Sequence, residues 1–454
     1  MLMTFREKLA KNSLLNRRIW KMSWPPMLSN ITTPLLGLVD TAVVGHLANE
    51  SHLGAVAIGA SVFSFVFWAF GFLRMGSTGL TAQALGRDDG NRVRELLLQS
   101  LLMATLIGLL LILFRHPIID FAMYLMSPSE DVAPLVRLYC EIRIFSAPAV
   151  LAGYALVGWF YGVQYSRGPL WIMLLINIVN MLLDIFAVYH LNMASDGVAW
   201  ATVAAHYTGL LLAIYLACLQ LKRFKAPNLF NWRSSLIKIS RYIELIQVNR
   251  YLFVRTILLL LVSLFFTAQG SHQGDSILAA NAVLLTFLMI ISNALDGFAF
   301  SVEALCGECI GQKNAVQFKK IVNLSTAWAL LSASVLSMVF WLFGGNIINM
   351  LTSIESVRQE ATTYLPWLII FPLLGIWSFM LDGVFIGATS VKQMQDTMIF
   401  SVVVVFFPCW YLTQQLGLGN HGLWLSQAML FIARAISLYW LYRRNMTRGV
   451  WFSG

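Results

Sequence analysis

Apolar residues fill most of the chain in long runs, and short polar segments separate these runs. Twelve runs have about 20 residues or more, which lets a helix cross a hydrocarbon core about 30 Å thick. The pattern therefore predicts an all-α integral membrane protein with twelve transmembrane helices. The predicted spans cover residues 22–46, 53–83, 96–123, 134–163, 168–190, 195–221, 242–269, 277–306, 321–343, 362–387, 395–416 and 421–442.

Composition and charge agree with this pattern. Only 11% of the 454 residues are charged, whereas soluble domains carry about 25%. A soluble globular protein is therefore excluded. The net charge of +10 comes from short basic clusters between apolar runs, which are typical of cytoplasmic loops and do not indicate nucleic-acid binding.

The distribution of Lys and Arg predicts the orientation. With the amino terminus inside, 23 of the 31 basic residues lie in inner segments and 3 in outer loops. We therefore expect a multi-pass protein of the cell inner membrane, with both termini in the cytoplasm. The first run has no small-residue cleavage site and is long enough to span, so we interpret it as a retained helix.

The two halves of the chain match at a constant offset of 225 residues. The offset predicts two six-helix lobes, residues 1–221 and 242–454, joined by a cytoplasmic linker at 222–241. Six is even, so both lobes begin on one side, and the pseudo-two-fold axis follows the membrane normal. Transporters that bind substrate between two lobes have this plan, although a repeat alone does not prove transport. The matched pairs are Gly86 and Gly311, Tyr139 and Tyr364, Gly162 and Gly387, and Gly197 and Gly422.

The first lobe carries carboxylates deep in apolar runs. Asp40 and Asp184 each lie six residues from an outer span end, which is about 9 Å at a rise of 1.5 Å per residue. Thr202 lies at a similar depth in span 6. Asn177, Asn180 and Asp184 share one face of span 5, and a polar face in a membrane helix indicates a cavity or a lobe interior.

Two interpretations of this pocket stay open. Two neighbouring carboxylates titrate as a unit, which is what proton coupling needs. Alternatively, the pair holds helices together by accepting hydrogen bonds from hydroxyls and amides. Arg143 is the mid-span arginine nearest to the same depth, Arg74 lies close to the cytoplasm, and His206 is one turn beyond Thr202 and could join the pocket.

The second lobe has acids and bases at similar depth. The acids lie near the cytoplasmic ends of spans 8 and 10, and the arginines lie in the inner to middle part of spans 7 and 12. We interpret them as paired charges with a structural or gating role, and a second cation or substrate site is the alternative. The residues are Asp296, Glu303, Asp382, Arg250, Arg255 and Arg434.

Proline precedes the first-lobe aspartate. Pro25 lies 15 residues before Asp40, and Pro26 follows it. Inside a helix, a proline removes a backbone hydrogen bond and favours a kink. In the first helical turn it costs little, so the prolines could equally mark the start of the helix.

No motif indicates catalysis, a metal or a cofactor. Cys306 and Cys309 form a CxxC with neither a second pair nor a neighbouring His, which favours a structural role. The chain has no HExxH, nucleophile elbow or phosphate loop, so we do not expect an enzyme. A membrane hydrolase is the alternative of another class.

Four stretches together resemble the multidrug and toxic compound extrusion (MATE) family, in its DinF-like branch. They are LLGLVDTAVVGHL, LRMGSTGLTAQALG, NIVNMLLD and LDGVFIGATS, and the resemblance runs the whole chain. It implies a cation-coupled exporter with twelve helices and a V-shaped cleft. It also implies that Asp40 is linked to protonation and that Pro25 matches the position of helix bending. The positions matching the polar cavity are Asp184, Asn180, Tyr139 and Thr202.

The resemblance therefore predicts a multidrug antiporter that exchanges lipophilic cations for protons. Na⁺ coupling is an alternative, as is a lipid or oligosaccharide flippase, whose cavity would carry Arg and Lys rather than carboxylates. We expect no cofactor beyond the coupling ion. The expected partners are small lipophilic or cationic substrates and membrane lipid, and we expect a monomer.

Overall fold

The structure is a computed structural model that describes the backbone of residues 5–44, 50–224 and 239–452. Side chains are described for 13–30, 32, 40, 43, 51–224 and 242–452, so most of the predicted linker 222–241 lies outside the described residues. Within these ranges the regular secondary structure is helical. The all-α fold class is confirmed.

The first half of the chain forms nine α-helices. A single 3₁₀ turn, Ile144–Ser146, joins the sixth helix to the seventh. The helices are α1 Phe5–Val44, α2 Glu50–Ala69, α3 Phe72–Gly86, α4 Gly90–Leu113, α5 Arg115–Met126, α6 Ala133–Arg143, α7 Ala147–Gly162, α8 Arg167–Tyr189 and α9 Ser195–Leu221.

The second half forms seven further α-helices. A π-helical segment, Ser401–Phe406, interrupts one of the predicted spans. It is followed by Pro408, whose missing N–H cannot continue a regular α-helical ladder. The helices are α10 Ile239–Ser271, α11 Asp275–Gly311, α12 Ala315–Leu351, α13 Glu355–Gly387, α14 Val391–Phe400, α15 Phe407–Gln415 and α16 Gly419–Thr447.

Eleven helical segments of the described chain are long and apolar enough to cross a membrane. They correspond to predicted spans 2 to 12, and α1 covers residues 22–44 of predicted span 1, which was placed at 22–46. The two largest differences from the predicted boundaries are in α1 and α4. Helix α1 begins at Phe5, so the basic amino-terminal segment is helical. Helix α4 ends at Leu113 instead of near residue 123, because Pro117 has no N–H to donate to the Leu113 carbonyl.

The predicted repeat recurs in the backbone geometry. Asp89 caps α4 by accepting a hydrogen bond from the Arg92 N–H at 2.9 Å. Asn314, 225 residues later, caps α12 in the same way with the Gln317 N–H at 3.0 Å. The residues just before these caps, Asp88 and Lys313, both adopt left-handed backbone angles, with φ of 56° and 54°. The same turn chemistry therefore begins equivalent helices in the two halves.

Glycine allows equivalent close helix crossings. A Cβ on Gly158 of α7 would collide with the backbone carbonyl of Arg74 in α3. The residue 225 positions later, Gly383 of α13, is in the same situation, and its Cβ would lie 2.6 Å from the Ala299 oxygen of α11. Both crossings bring backbone against backbone, as small residues allow in membrane helices.

This crossing makes a testable prediction. We expect Gly383→Ala to lower stability by about 1–3 kcal/mol, because the new methyl group meets a backbone atom that cannot rotate away. Gly345→Ala is the matched control, since a Cβ at Gly345 in α12 has no neighbour within 4 Å. There, alanine should stabilise by up to about 1 kcal/mol through its higher helix propensity. Thermal melting of the purified variants in detergent measures both, and equal melting temperatures would contradict the prediction.

The chain separates into two compact units, whose bounds differ from those of the predicted lobes. One unit is Leu28–Asn249, and the other combines Met1–Met27 with Arg250–Gly454. We call them the amino-terminal and carboxy-terminal units. The bounds 1–221 and 242–454 remain a prediction from the repeat.

The first half of α1 belongs to the carboxy-terminal unit, where it packs against α11. The Ser301 hydroxyl lies 3.4 Å from the Ile19 carbonyl. The rings of Trp20 and Phe298 meet edge to face at 5.5 Å. Arg18 forms an ion pair with Glu308 at 2.5 Å. Helix α1 therefore passes from one unit to the other between Met27 and Leu28, just after Pro25 and Pro26.

Candidate functional site

Two aspartates from different helices meet inside the amino-terminal unit. Asp40 of α1 is 3% exposed and Asp184 of α8 is 0% exposed. Asp40 lies within hydrogen-bonding reach of Asp184 and of Asn180, one turn earlier in α8. The structure thus brings together the carboxylates that the sequence places at equal depth.

Three of the four oxygens of these carboxylates have no hydrogen-bond donor among the described residues. One oxygen of Asp40, Oδ1, and both oxygens of Asp184 are buried without a partner among the described residues. An ionised carboxylate only accepts hydrogen bonds, so neither aspartate can satisfy the other unless one carries a proton. Leaving buried charge without a partner is costly. A shared proton or a bound cation would remove that cost.

Asparagines on the same face of α8 surround the pair with further acceptors. The Thr202 hydroxyl of α9 donates to the Val198 carbonyl at 2.7 Å, so it accepts from the Asn180 amide at 3.3 Å. This fixes the amide orientation of Asn180. Asn177 donates to the Thr32 carbonyl at 3.1 Å. The Oδ1 atoms of both asparagines are buried and have no donor among the described residues.

Tyr139 and Arg143 lie on α6, beside this pocket. Tyr139 is buried, packs where Gly59 of α2 leaves room, and lies within hydrogen-bonding reach of Arg143. The Arg143 guanidinium is close enough for its charge to act on both Asp40 and Asp184. It forms no ion pair within 4 Å with an acid of the described residues. Arg143 therefore contributes a positive charge beside the pocket.

Neutral groups hold Arg143 in place. Its Nη1 donates to the Ser146 hydroxyl at 2.9 Å, and its Nη2 lies 3.4 Å from Nε2 of His206. Arginine has no acceptor, so Nε2 of His206 must accept, and the imidazole is neutral with its proton on Nδ1. The guanidinium also lies 5.9 Å and 5.8 Å from the ring centres of Phe63 and Phe67. His206 thus belongs to the surroundings of Arg143.

The carboxy-terminal unit holds a different charge cluster. Oδ2 of Asp382 in α13 accepts from Arg255 of α10 at 2.5 Å and from Arg434 of α16. All three residues are buried, and Arg434 also lies over the Phe431 ring at 5.6 Å. An oxygen that already binds two guanidinium groups is a poor ligand for a free cation. The geometry favours the interpretation as paired charges over a second cation site.

The other charged residues predicted to belong to the second-lobe network are Arg250, Asp296 and Glu303. Arg250 is exposed on α10 and stacks on its neighbour Tyr251 at 4.9 Å. Asp296 and Glu303 both lie on α11, and Glu303 is buried where Gly387 of α13 approaches the helix backbone. Arg255, Asp382 and Arg434 form one ion-pair cluster.

Sequence reasoning missed one buried polar network. Asn281 of α11 and Asn420 of α16 exchange two amide hydrogen bonds, at 2.8 Å and 2.9 Å. The Trp424 indole adds a third, to Asn281 at 2.9 Å. All three side chains are buried, and each of the three hydrogen bonds joins a donor to an acceptor within the network. The sequence signal for this network is the presence of asparagines in apolar runs. That signal does not show which residues pair.

The fold and the pocket define a class of protein, a helical membrane transporter built from a twofold repeat. Comparison identifies the family. The MatE family model matches residues 25–186 and 252–412, which is more than half of the chain, so this protein belongs to the MatE family of multi-pass membrane transporters. The resemblance described from the sequence motifs is thereby confirmed.

Relatives match over nearly the whole length. The chain is 40% identical over 441 residues to DNA damage-inducible protein F of Escherichia coli strain K12, covering 96% of this chain and 94% of that protein. It is 26% identical to a probable multidrug resistance protein, NorM, of Acinetobacter baylyi, covering 94% and 96%.

Solved structures share the fold. A crystal structure of MATE in the bent conformation superposes with a TM-score of 0.86 at 19% identity, covering 96% of this chain and 97% of that one. MATE in the straight conformation superposes with a TM-score of 0.84 at 18% identity, covering 96% of each chain. At these identities the likeness concerns the fold alone.

Proposed function

We propose that this protein is a proton-coupled antiporter that exports lipophilic, cationic compounds. The observation that carries the proposal is the pair of buried carboxylates, Asp40 and Asp184, three of whose four oxygens have no donor among the described residues. Such a pair has a place for a proton or a cation. Competition of both for the same negative charge supplies the differential binding that alternating access requires.

The exchange would run in two steps. From the outside, the aspartate pair accepts a proton, loses its attraction for a cationic substrate and releases it. Towards the cytoplasm, the pair loses the proton and attracts the next cation. The proposal places the protein in the cell inner membrane as a monomer, with both termini in the cytoplasm and no cofactor besides the coupling ion.

The charge of Arg143 bears on the number of protons. Two ionised carboxylates and one guanidinium carry a net charge of −1, so a single proton makes the pocket neutral. In a membrane interior, neutrality is strongly favoured over net charge. We expect the pocket to hold one proton or one monovalent cation at a time, which corresponds to one-for-one exchange.

Pro25 is the proposed hinge of α1. Helix α1 begins at Phe5, so Pro25 and Pro26 stand inside the helix, and the interpretation as a first helical turn is wrong. Pro25 has no N–H to donate to the Lys21 carbonyl, which weakens the helix locally. It also lies three residues before the change from one compact unit to the other at Leu28. A bend at this point would move the second half of α1, with Asp40, relative to the first half.

Replacing the proline tests the hinge. We expect Pro25→Ala to raise thermal stability, because alanine restores a helical hydrogen bond, and to slow export at least tenfold, because α1 bends less easily. Export from proteoliposomes and melting in detergent give the two readouts. Pro366→Ala, at another proline inside a helix, is the matched control and should change export little. A Pro25→Ala protein that exports at the wild-type rate would show that α1 needs no hinge there.

Transport by the purified protein tests the coupling ion. Proteoliposomes are given a pH gradient, a Na⁺ gradient or neither, and export of a fluorescent lipophilic cation is recorded together with internal pH. The proposal expects export with the pH gradient alone and proton movement only when substrate is present. Export that requires Na⁺ would favour a Na⁺-coupled exporter, because carboxylate and amide oxygens also bind Na⁺. Conductance without substrate would indicate a channel.

A further inference from the structure

An open cavity of about 360 Å³ lies on the amino-terminal unit, between the beginning of α4 and the end of α9. Its lining has two kinds of residue. Arg94 and Lys222 are cationic, whereas Leu98, Cys218 and Leu221 are apolar. The cavity is separate from Asp40 and Asp184, and neither the transport mechanism nor the family assignment uses it.

Helix α9 fixes the position of the arginine. Nη2 of Arg94 donates to the carbonyl oxygens of Leu221 at 3.3 Å and Phe224 at 2.6 Å. The Leu221 carbonyl ends α9 and Phe224 follows the helix, so the guanidinium lies where the helix dipole favours a cation. These two carbonyl oxygens hold the guanidinium beside the cavity. Lys222 directly follows α9, is exposed, and has a flexible stem that can reach a ligand.

An apolar surface leads away from the cavity along both helices. On α4, Leu98 is followed at four-residue steps by Leu102 and Leu106, which are 40% and 51% exposed. Residues at this spacing share one helix face. On α9, Leu211 and Tyr215 are 69% and 60% exposed, and Cys218 continues that side. The cationic end of the cavity thus meets a face suited to acyl chains.

This arrangement matches the two ends of a phospholipid. Both cations lie at the helix ends that the distribution of Lys and Arg predicts to be cytoplasmic, at the depth of lipid headgroups. Basic pockets between transmembrane helices on that side bind anionic headgroups. The Lys222 ammonium can donate to phosphate oxygens, and the Arg94 guanidinium adds a second positive charge to the cavity.

We propose that this cavity binds an anionic phospholipid. The phosphodiester lies between Arg94 and Lys222, and an acyl chain follows Leu98 and Leu102. The lipid would bridge the start of α4 and the end of α9 and so stabilise the amino-terminal unit from outside. The inference does not depend on the transported substrate or on the coupling ion.

Labelling of Cys218 tests the site. Of the five cysteines, Cys218 is the exposed one, so its reaction with a maleimide reports on access to the cavity. The purified protein in detergent is titrated with phosphatidylglycerol, with phosphatidylcholine or with inorganic phosphate. We expect phosphatidylglycerol to slow the labelling and the other two to leave the rate unchanged. Native mass spectrometry counts the bound lipid as a second readout.

Two neighbouring substitutions separate a defined site from general attraction. Lys222→Gln should weaken phosphatidylglycerol binding about fivefold, the effect of one basic residue at a membrane surface. Arg223→Gln removes the same charge one residue later, from a side chain that donates to Gln220 at 2.7 Å and does not line the cavity. It should change binding less than twofold.

Three results would overturn the proposal. Equal slowing by phosphatidylcholine would reduce the cavity to an apolar groove. Slowing by inorganic phosphate would show an anion site that needs no lipid. Equal effects of Lys222→Gln and Arg223→Gln would show diffuse attraction to the membrane surface.

Discussion

Replacing Asp40 by asparagine is expected to reduce proton-driven export to the level of empty liposomes, and Asp184→Asn should do the same. Asparagine keeps the shape of the side chain but cannot exchange a proton in this range of pH. The pocket would then lose its means of alternating between proton and cation. Export of a fluorescent lipophilic cation from proteoliposomes under a pH gradient measures the loss.

Stability should move in the other direction. The new amide in Asp40→Asn donates to the neighbouring Asp184, whose oxygens have no donor among the described residues. Satisfying a buried acceptor contributes about 1–3 kcal/mol, so the inactive variant should melt at or above the wild-type temperature. Loss of export together with a large loss of stability would instead indicate that the aspartates only hold helices together.

Asp120→Asn is the matched control. Asp120 is an exposed acid of α5 in the same unit, and it pairs with Arg137 at 2.7 Å on the surface. Surface ion pairs contribute little, so this variant should keep both export and stability. If Asp40→Asn transports as fast as Asp120→Asn, the proton does not travel through this pair.

Hydropathy predicted most of the fold because contact with lipid constrains the polarity of a helix more strongly than contact with water does. Eleven predicted spans correspond to membrane-length helical segments of the described chain, and α1 covers all but the last two residues of the remaining one. The missed boundaries arise where hydropathy carries no signal. A helix can continue into a basic segment, as α1 does from Phe5, and Pro117 can restart a helix inside an apolar run.

The candidate site was partly predictable for a geometric reason. Equal depth and a shared helix face are one-dimensional properties, so sequence alone could place Asp40, Asp184 and Asn180 together. The position of Arg143 depends on Ser146, on His206 of α9 and on rings of α2, which no spacing along the chain reveals. Tertiary packing decides such contacts.

The repeat predicts the helical scaffold, but it does not predict which polar residues each unit carries. Helix caps and glycine crossings recur after 225 residues, because both halves need the same turns and crossings. The buried charged residues of the two polar clusters do not recur, so each unit carries its own cluster. The positions equivalent to Asp40 and Asp184 hold Phe265 and Cys409, and those equivalent to Arg255, Asp382 and Arg434 hold Asn30, Val157 and Gly209.

The second large effect is expected at the charge cluster of the carboxy-terminal unit. Asp382→Asn leaves Arg255 and Arg434 buried without their shared anion. Removing one member of a buried ion pair costs about 3–5 kcal/mol, so the variant should melt far below the wild type or fail to fold. Asp396→Asn, at an exposed acid of α14, is the matched control and should change the melting temperature little.

A triple substitution then separates a structural role from a role in transport. Replacing Arg255 and Arg434 by methionine and Asp382 by leucine removes the three buried charges of the cluster, and replacing a buried ion-pair cluster by apolar side chains is often neutral or stabilising. We expect this variant to regain wild-type stability and to retain export, since the proposed coupling aspartates lie in the other unit. A stable triple variant without export would mean that the cluster acts in the transport cycle. Melting in detergent and export from proteoliposomes, measured on the same preparations, distinguish the two outcomes.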